Sequence, residues 1–106
     1  YRGLLVPQFA SLGAALDTLQ ACLELGPSAV ELMDRMLIDL ARNQRSLKET
    51  MAAVRGRPEA LLMVEFSSDD AADVSYRVHE LQRRLAGSVG LVASVPAIEA
   101  ATRDPL

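Results

Sequence analysis

Two carboxylates sit inside the most apolar stretches of the chain: Glu31 in "SAVELM" (28–33) and Glu65 in "ALLMVEF" (60–66). Strand side chains alternate between faces. Glu31 therefore shares a face with Ala29 and Met33, and Glu65 shares one with Leu61 and Met63. Two carboxylates can divide acid and base work when their surroundings push their pKa values apart. The remaining choices are solvated positions on an open sheet face, or contacts to a substrate or partner. No other residues complete a catalytic set. His79 stands alone beside Glu80 in a polar part of the sequence, and Cys22, the one cysteine, lies on the apolar side of a helical pattern. A single cysteine makes neither an internal disulfide nor a cysteine-based zinc site, a pattern in keeping with a cytosolic setting. Asp34, at the end of its strand, has a helix cap as its simplest role.

The elements that position these groups read as one unit used twice. "LLVPQF" (4–9) is a strand, and Ser11 opens a helix with Leu12, Leu16, Leu19 and Leu23 as its apolar stripe, widened by Ala15 and Cys22. Gly26-Pro27 stops that helix, and "SAVELM" returns as a strand. In the second half "ALLMVEF" is a strand, "SSDD" (67–70) supplies cap oxygens, and Ala71, Val74, Val78, Leu81 and Leu85 form one stripe up to Gly87. "SVGLVASV" (88–95) is the closing strand.

Strand-helix-strand twice predicts a single α+β domain over 1–106: a ferredoxin-like two-layer sandwich, βαβ-βαβ, with a four-stranded antiparallel sheet. Right-handed crossovers put both long helices on one face. Residues 34–57 form a helical insert between the halves. Asp34 caps a short helix carrying Leu37, Leu40 and Ala41, and "SLKE" (46–49) forms a capping box ahead of Leu47, Met51 and Val54. "PAIEAATRD" reads as the start of another helix. Leu61, Met63 and Met33 make the other sheet face half apolar, so that face is expected to be covered by something outside the 106 residues.

Composition narrows the function. No apolar run approaches the length of a membrane span, and a net charge of −3 gives no general attraction to nucleic acid or anionic lipid. Five of the eleven basic residues lie at Arg42, Arg45, Lys48, Arg55 and Arg57, either a solvated helical face or a contact to an anion or a neighbouring domain. An RNA-reading sheet of this topology would present stacking aromatics, whereas the middle strands here offer Glu, Met and Leu. The six glycines follow neither dinucleotide nor Walker spacing. The heavy-metal and acylphosphatase uses of the fold need a Cys-x-x-Cys or phosphate-binding loop after the first strand, where this chain has Ala10-Ser11. Tyr1-Arg2-Gly3 has no signal-peptide layout and no initiator Met, suggesting a piece of a longer chain.

Taken in order, "LLVPQFASLGAALDTL", "PSAVELMDRMLIDLA", "PEALLMVEFSSDDAADV" and a last strand leading into "IEAATRDPL" resemble the C-terminal, substrate-side domain of FAD-linked oxidases. These include the flavoprotein component of glycolate oxidase and the flavin-dependent D-lactate and D-2-hydroxyglutarate dehydrogenases. The wording of "ELMDRMLIDLAR" and "PEALLMVEF" is similar to longer bacterial members that fuse an iron–sulfur module behind the flavoprotein part. The resemblance implies an FAD-dependent parent oxidising a small 2-hydroxy acid such as lactate, glycolate or 2-hydroxyglutarate. It implies FAD held mainly by a separate N-terminal domain, with catalytic, metal and substrate-binding residues in the remaining C-terminal segment, so none is assigned within 1–106. The expected location, from the single cysteine, is cytoplasmic, with the parent allowed a place against the inner membrane. In the family the sheet lies over flavin and substrate, which would set Glu31, Met33, Met63 and Glu65 towards the pocket or the interdomain contact. The fragment alone would be inactive and would self-associate. Two other readings remain: a free-standing ACT-like ligand-sensing or dimerisation module, for which "PQFAS" lacks the glycine-rich turn, and an anion or nucleic-acid binder through 42–57.

Overall fold

A computed structural model describes residues 1–99, apart from the side chains of Glu49, Ile98 and Glu99. Strand β1 (Arg2–Phe9) leads into helices α1 (Leu12–Asp17) and α2 (Leu19–Glu24), then strand β2 (Ala29–Asp34). The insert holds α3 (Arg35–Ala41), a 3-10 turn (Arg45–Leu47) and α4 (Lys48–Ala52). Strand β3 (Ala60–Ser67), helix α5 (Ala71–Leu85) and strand β4 (Leu91–Glu99) complete the order. The strands form one antiparallel sheet in the order β2-β3-β1-β4. This is the expected α+β sandwich.

The main core lies between one sheet face and helices α1, α2 and α5. Leu5, Phe9, Leu62, Val64 and Phe66 from the sheet meet Ala14, Ala15, Cys22, Val74, Val78, Leu81 and Leu85 from the helices. Helix α5 follows the predicted stripe, except that Ala71, in its first turn, is exposed. Asp70 caps it by accepting from the amide of Ala72, and Arg83 and Arg84 occupy its last turn.

The first helix departs from expectation. It divides at Thr18, whose hydroxyl donates to the Ala15 carbonyl. Its core face is the small-residue set Ala14, Ala15, Thr18 and Cys22, while Leu12, Leu16 and Leu23 stay about half exposed. Small residues let the helix lie close to the sheet, and Ala14 packs so near Gly90 that a Cβ there would stand 2.6 Å from its own. Leu12 and Leu16 lie about 160° round the helix from Ala14. Gly90 leads into β4, so the leucine flank turns the other way, towards β2.

Two further expectations fail. Ser46 does not cap α4: the helix starts after Leu47 without a side-chain cap, because residues 45–47 are already wound into the 3-10 turn. Residues 96–99 extend β4 along β1 instead of starting a helix, and that strand begins at Leu91. Pro96 tolerates this place because β4 is an edge strand, where a missing N–H breaks no ladder. The rest of the predicted tail helix lies outside the described residues.

Cys22 is fully buried, and burial pushes its thiol up to about 11 from an ordinary 9.0. A raised acid pKa means the folded state holds its proton more tightly. The associated stability is therefore complete below pH 9 and is lost as pH rises from 9 towards 11. At pH 8 the folded domain should be inert to Ellman's reagent, reacting only as denaturant unfolds it. Rapid reaction of the native protein would show that this helix opens locally.

Candidate functional site

The second sheet face carries the four residues singled out by the strand period. Its side chains are Arg2, Leu4, Val6 and Gln8 of β1; Leu61, Met63 and Glu65 of β3; Ala29, Glu31 and Met33 of β2; and Ala93, Val95 and Ala97 of β4. Glu31 pairs with Met63, Met33 with Leu61, and Glu65 with Ala29. The two glutamates are thus diagonal neighbours across β2 and β3, as the alternation requires.

One half of this face is roofed by the chain's own insert, contrary to the expectation of an outside cover. Ile38, Ala41 and Ala53 close over Val6, Met33 and Leu61, with Leu47, Met51, Val54 and Val95 at the margin. Helix α3 starts as predicted, Asp34 accepting from the amide of Leu37. It turns Ile38 and Ala41 inward, however, leaving Leu37 and Leu40 exposed. The side chain of Gln8 fastens the roof. It is fully buried, donates to the carbonyls of Val6 (3.1 Å) and Ala53 (2.8 Å), and accepts from the amide of Arg55 (2.7 Å). The Thr50 hydroxyl meets the Met63 sulfur at 2.9 Å. Met33 is therefore buried beneath the insert, and Met63 sits half-buried at its margin.

The other half is more open. Glu31 is exposed, and Glu65 is half-buried with Arg2 Nε 3.7 Å from its carboxylate. Leu4, on the same face, is buried. Within the described residues this half offers two carboxylates and a guanidinium, and no group of three or more side chains placed to hold a metal ion. His79 is exposed on α5, its Nδ1 donating to the Ser75 carbonyl at 2.9 Å. It lies on the helix layer, away from this face.

Arg77 was not singled out from the sequence, and on the helix-covered face it organises the same end of the sheet as Arg2 and Glu65. Its guanidinium donates to the carbonyls of Leu25, Gly26 and Ser67 and to Asp73, and lies 5.2 Å from the Phe66 ring centre. One planar fork thus ties the end of α2 to the end of β3. The i,i+4 spacing from Asp73 was the available signal, but it also describes any surface helix pair. Glu80 receives Arg83 and Arg84, which hold its carboxyl down to about 2. The stability linked to this group is present above 4.5 and lost as pH falls from there towards 2.

The basic stretch does not gather into one cluster. Arg42, Arg45 and Lys48 border an open depression of about 610 Å³, whereas Arg55 and Arg57 border another beside Pro58 and Val92. Of the glycines with positive φ, Gly26 and Gly56 fall in separate connections, while Gly87 and Gly90 share the one between α5 and β4. None combines with another into the run of backbone N–H groups that cradles a phosphate.

In comparisons with known proteins, the family described as FAD linked oxidases, C-terminal domain, matches residues 1–104. No curated protein and no solved structure matches the chain. The match spans every element of the described sandwich, including the insert and the half-open face. The chain belongs to the family of FAD-linked oxidase C-terminal domains.

Proposed function

We propose that this domain is the substrate-side cap of an FAD-dependent oxidoreductase that oxidises a small 2-hydroxy acid of the lactate, glycolate or 2-hydroxyglutarate kind. Family membership implies FAD and further domains in the same polypeptide. Bound FAD supplies the hydride acceptor, while the protein positions the substrate. The described residues do not themselves fit FAD: a pyrophosphate asks for clustered backbone donors at a glycine-rich turn, and the positive-φ glycines here are scattered. The same proposal therefore places FAD mainly on the N-terminal domain and the catalytic groups in the remaining C-terminal segment, and leaves this fragment inactive alone. It extends to a cytoplasmic parent that can lie against the inner membrane, and to a fused iron–sulfur module. No helix among the described residues is long and apolar enough to cross a membrane.

The observation that carries this reading is the division of the second sheet face. The insert closes the Met33 half, and the Glu31–Glu65–Arg2 half is left to meet the FAD-bearing domain. In the full-length protein, visible flavin bands are expected, and Glu31→Gln or Glu65→Gln should lower kcat/KM by about tenfold, equivalent to about 1.4 kcal/mol. A colourless full-length protein would remove the flavoenzyme reading. Flavin bands with unchanged turnover and KM in both variants would leave the flavoenzyme standing but take these glutamates out of the interdomain contact.

A further inference from the structure

The four methionines of the chain stand in four different surroundings. Met36 is 66 % exposed on α3, and Met33 is buried beneath the insert. Met51 is half-buried beside the depression bordered by Arg42, Arg45 and Lys48. Met63 is half-buried at the border between the roofed and open halves of the second sheet face. Its same-face neighbours along β3 are Leu61, which is buried, and Glu65, which is half-buried; across the ladder its partner Glu31 is exposed. The thioether is thus covered on the side of Leu61 and open on the side of the two glutamates.

The covered side holds a hydrogen-bond donor. Thr50 is 2 % exposed, and its hydroxyl donates to the Met63 sulfur at 2.9 Å. A threonine in a helix can give this hydrogen to a carbonyl of the preceding turn, as Thr18 gives its own to Ala15. Thr50 directs it instead at a thioether, a weak acceptor. Among the described residues, Met63 is the one methionine whose sulfur meets a hydroxyl.

A thioether sulfur has two lone pairs, and oxidation at one or the other gives opposite sulfoxide epimers. At Met63 one lone pair is engaged by Thr50 and faces the buried side of α4. The other is left for an oxidant arriving from the open half. With hydrogen peroxide, this free lone pair attacks one peroxide oxygen and the O–O bond breaks. A proton shifts to the departing oxygen, which leaves as water. Sulfur is oxidised by two electrons, the peroxide is reduced, and the new S–O bond forms on the outer side. Hydrogen peroxide is what a reduced flavin releases when dioxygen reoxidises it, and family membership implies FAD in the parent.

We propose that Met63 is a modification site for hydrogen peroxide, oxidised to a single sulfoxide epimer under the direction of Thr50 and restored by the one class of sulfoxide reductase that accepts that epimer. The proposal is independent of the substrate and of how FAD is held. It is tested by treating the full-length protein with hydrogen peroxide, digesting it, and incubating the peptides with one or other of the two epimer-specific reductases before mass spectrometry. Met63 sulfoxide should be reduced by one enzyme in an excess of about tenfold or more, whereas the sulfoxide of exposed Met36 should yield to both in similar measure. Thr50→Ser keeps the hydroxyl and should keep the excess. Thr50→Ala, with an unchanged circular dichroism spectrum, should bring the two Met63 epimers within about twofold of each other. If Thr50→Ala does not fold, the ratios in the unmodified protein and in Thr50→Ser decide. Equal epimers at Met63 in either of those proteins would overturn the proposal. So would a Met63 still unoxidised once Met36 is fully converted, or an excess that survives in folded Thr50→Ala.

Discussion

Replacing Gln8 with methionine should cost the domain about 2–4 kcal/mol and loosen residues 50–58 before the rest. Methionine keeps the length and apolar stem of glutamine but can neither donate to the Ala53 carbonyl nor accept from the Arg55 amide. Those contacts, at 2.8 and 2.7 Å, are the polar ties between β1 and the end of the insert. Each buried group left without a partner costs about 1–3 kcal/mol. The Arg55 amide is nearer the surface and can recruit water, which keeps the total from reaching the full sum. The apolar roof of Ile38, Ala41 and Ala53 remains, so the expected result is a loosened insert on an otherwise folded sandwich. The checks are the urea midpoint and hydrogen exchange at Ala53–Arg55. An unchanged midpoint with unchanged exchange would mean that the apolar contacts alone hold the roof.

This clamp also shows where the sequence is legible and where it is not. Period-two alternation placed Glu31, Met33, Met63 and Glu65 on one face, because strand geometry makes that a local property. The roof over Met33 is not local. It depends on Gln8 meeting residues 45 and 47 positions away, and a glutamine in an apolar strand carries no mark of that partnership. For α5 the stripe and the core coincide because only one face is apolar. In α1–α2 the leucines and the small residues Ala14, Ala15 and Cys22 form two apolar arcs side by side. Hydrophobicity favours the leucines, but close approach to the sheet favours the small residues, and close approach wins where Gly90 admits the helix. The leucines then become surface along the β2 edge. The capping-box spacing at Ser46–Glu49 was present without its cap, because the preceding 3-10 turn had already set the backbone.

Gly90→Ala should be the more damaging glycine change, at about 2–4 kcal/mol, because two independent penalties meet there. Gly90 has φ +82, a conformation costing an L-residue about 1–2 kcal/mol. A Cβ at this position would also stand 2.6 Å from the Ala14 Cβ. That neighbour is a short side chain fixed to a helix backbone, so relief requires moving α1 or the turn. The turn is itself held by the Ala10 amide donating to the Gly90 carbonyl at 2.8 Å. Gly87 separates the two causes, since it has φ +84 and a Cβ there would meet nothing within 4 Å. Gly87→Ala should therefore show the backbone cost alone, about 1–2 kcal/mol. Ala14→Gly removes the colliding methyl at a cost of about 1 kcal/mol in helix propensity. Combined with Gly90→Ala, it should cost less than the two single changes added together, with a coupling of about 1–3 kcal/mol. Strict additivity in urea unfolding would mean that the collision is relieved elsewhere and only the backbone term operates. A measured coupling would establish the Gly90–Ala14 contact as what sets the roll of α1. The same contact would then be what turns Leu12 and Leu16 away from the core and leaves them about half exposed.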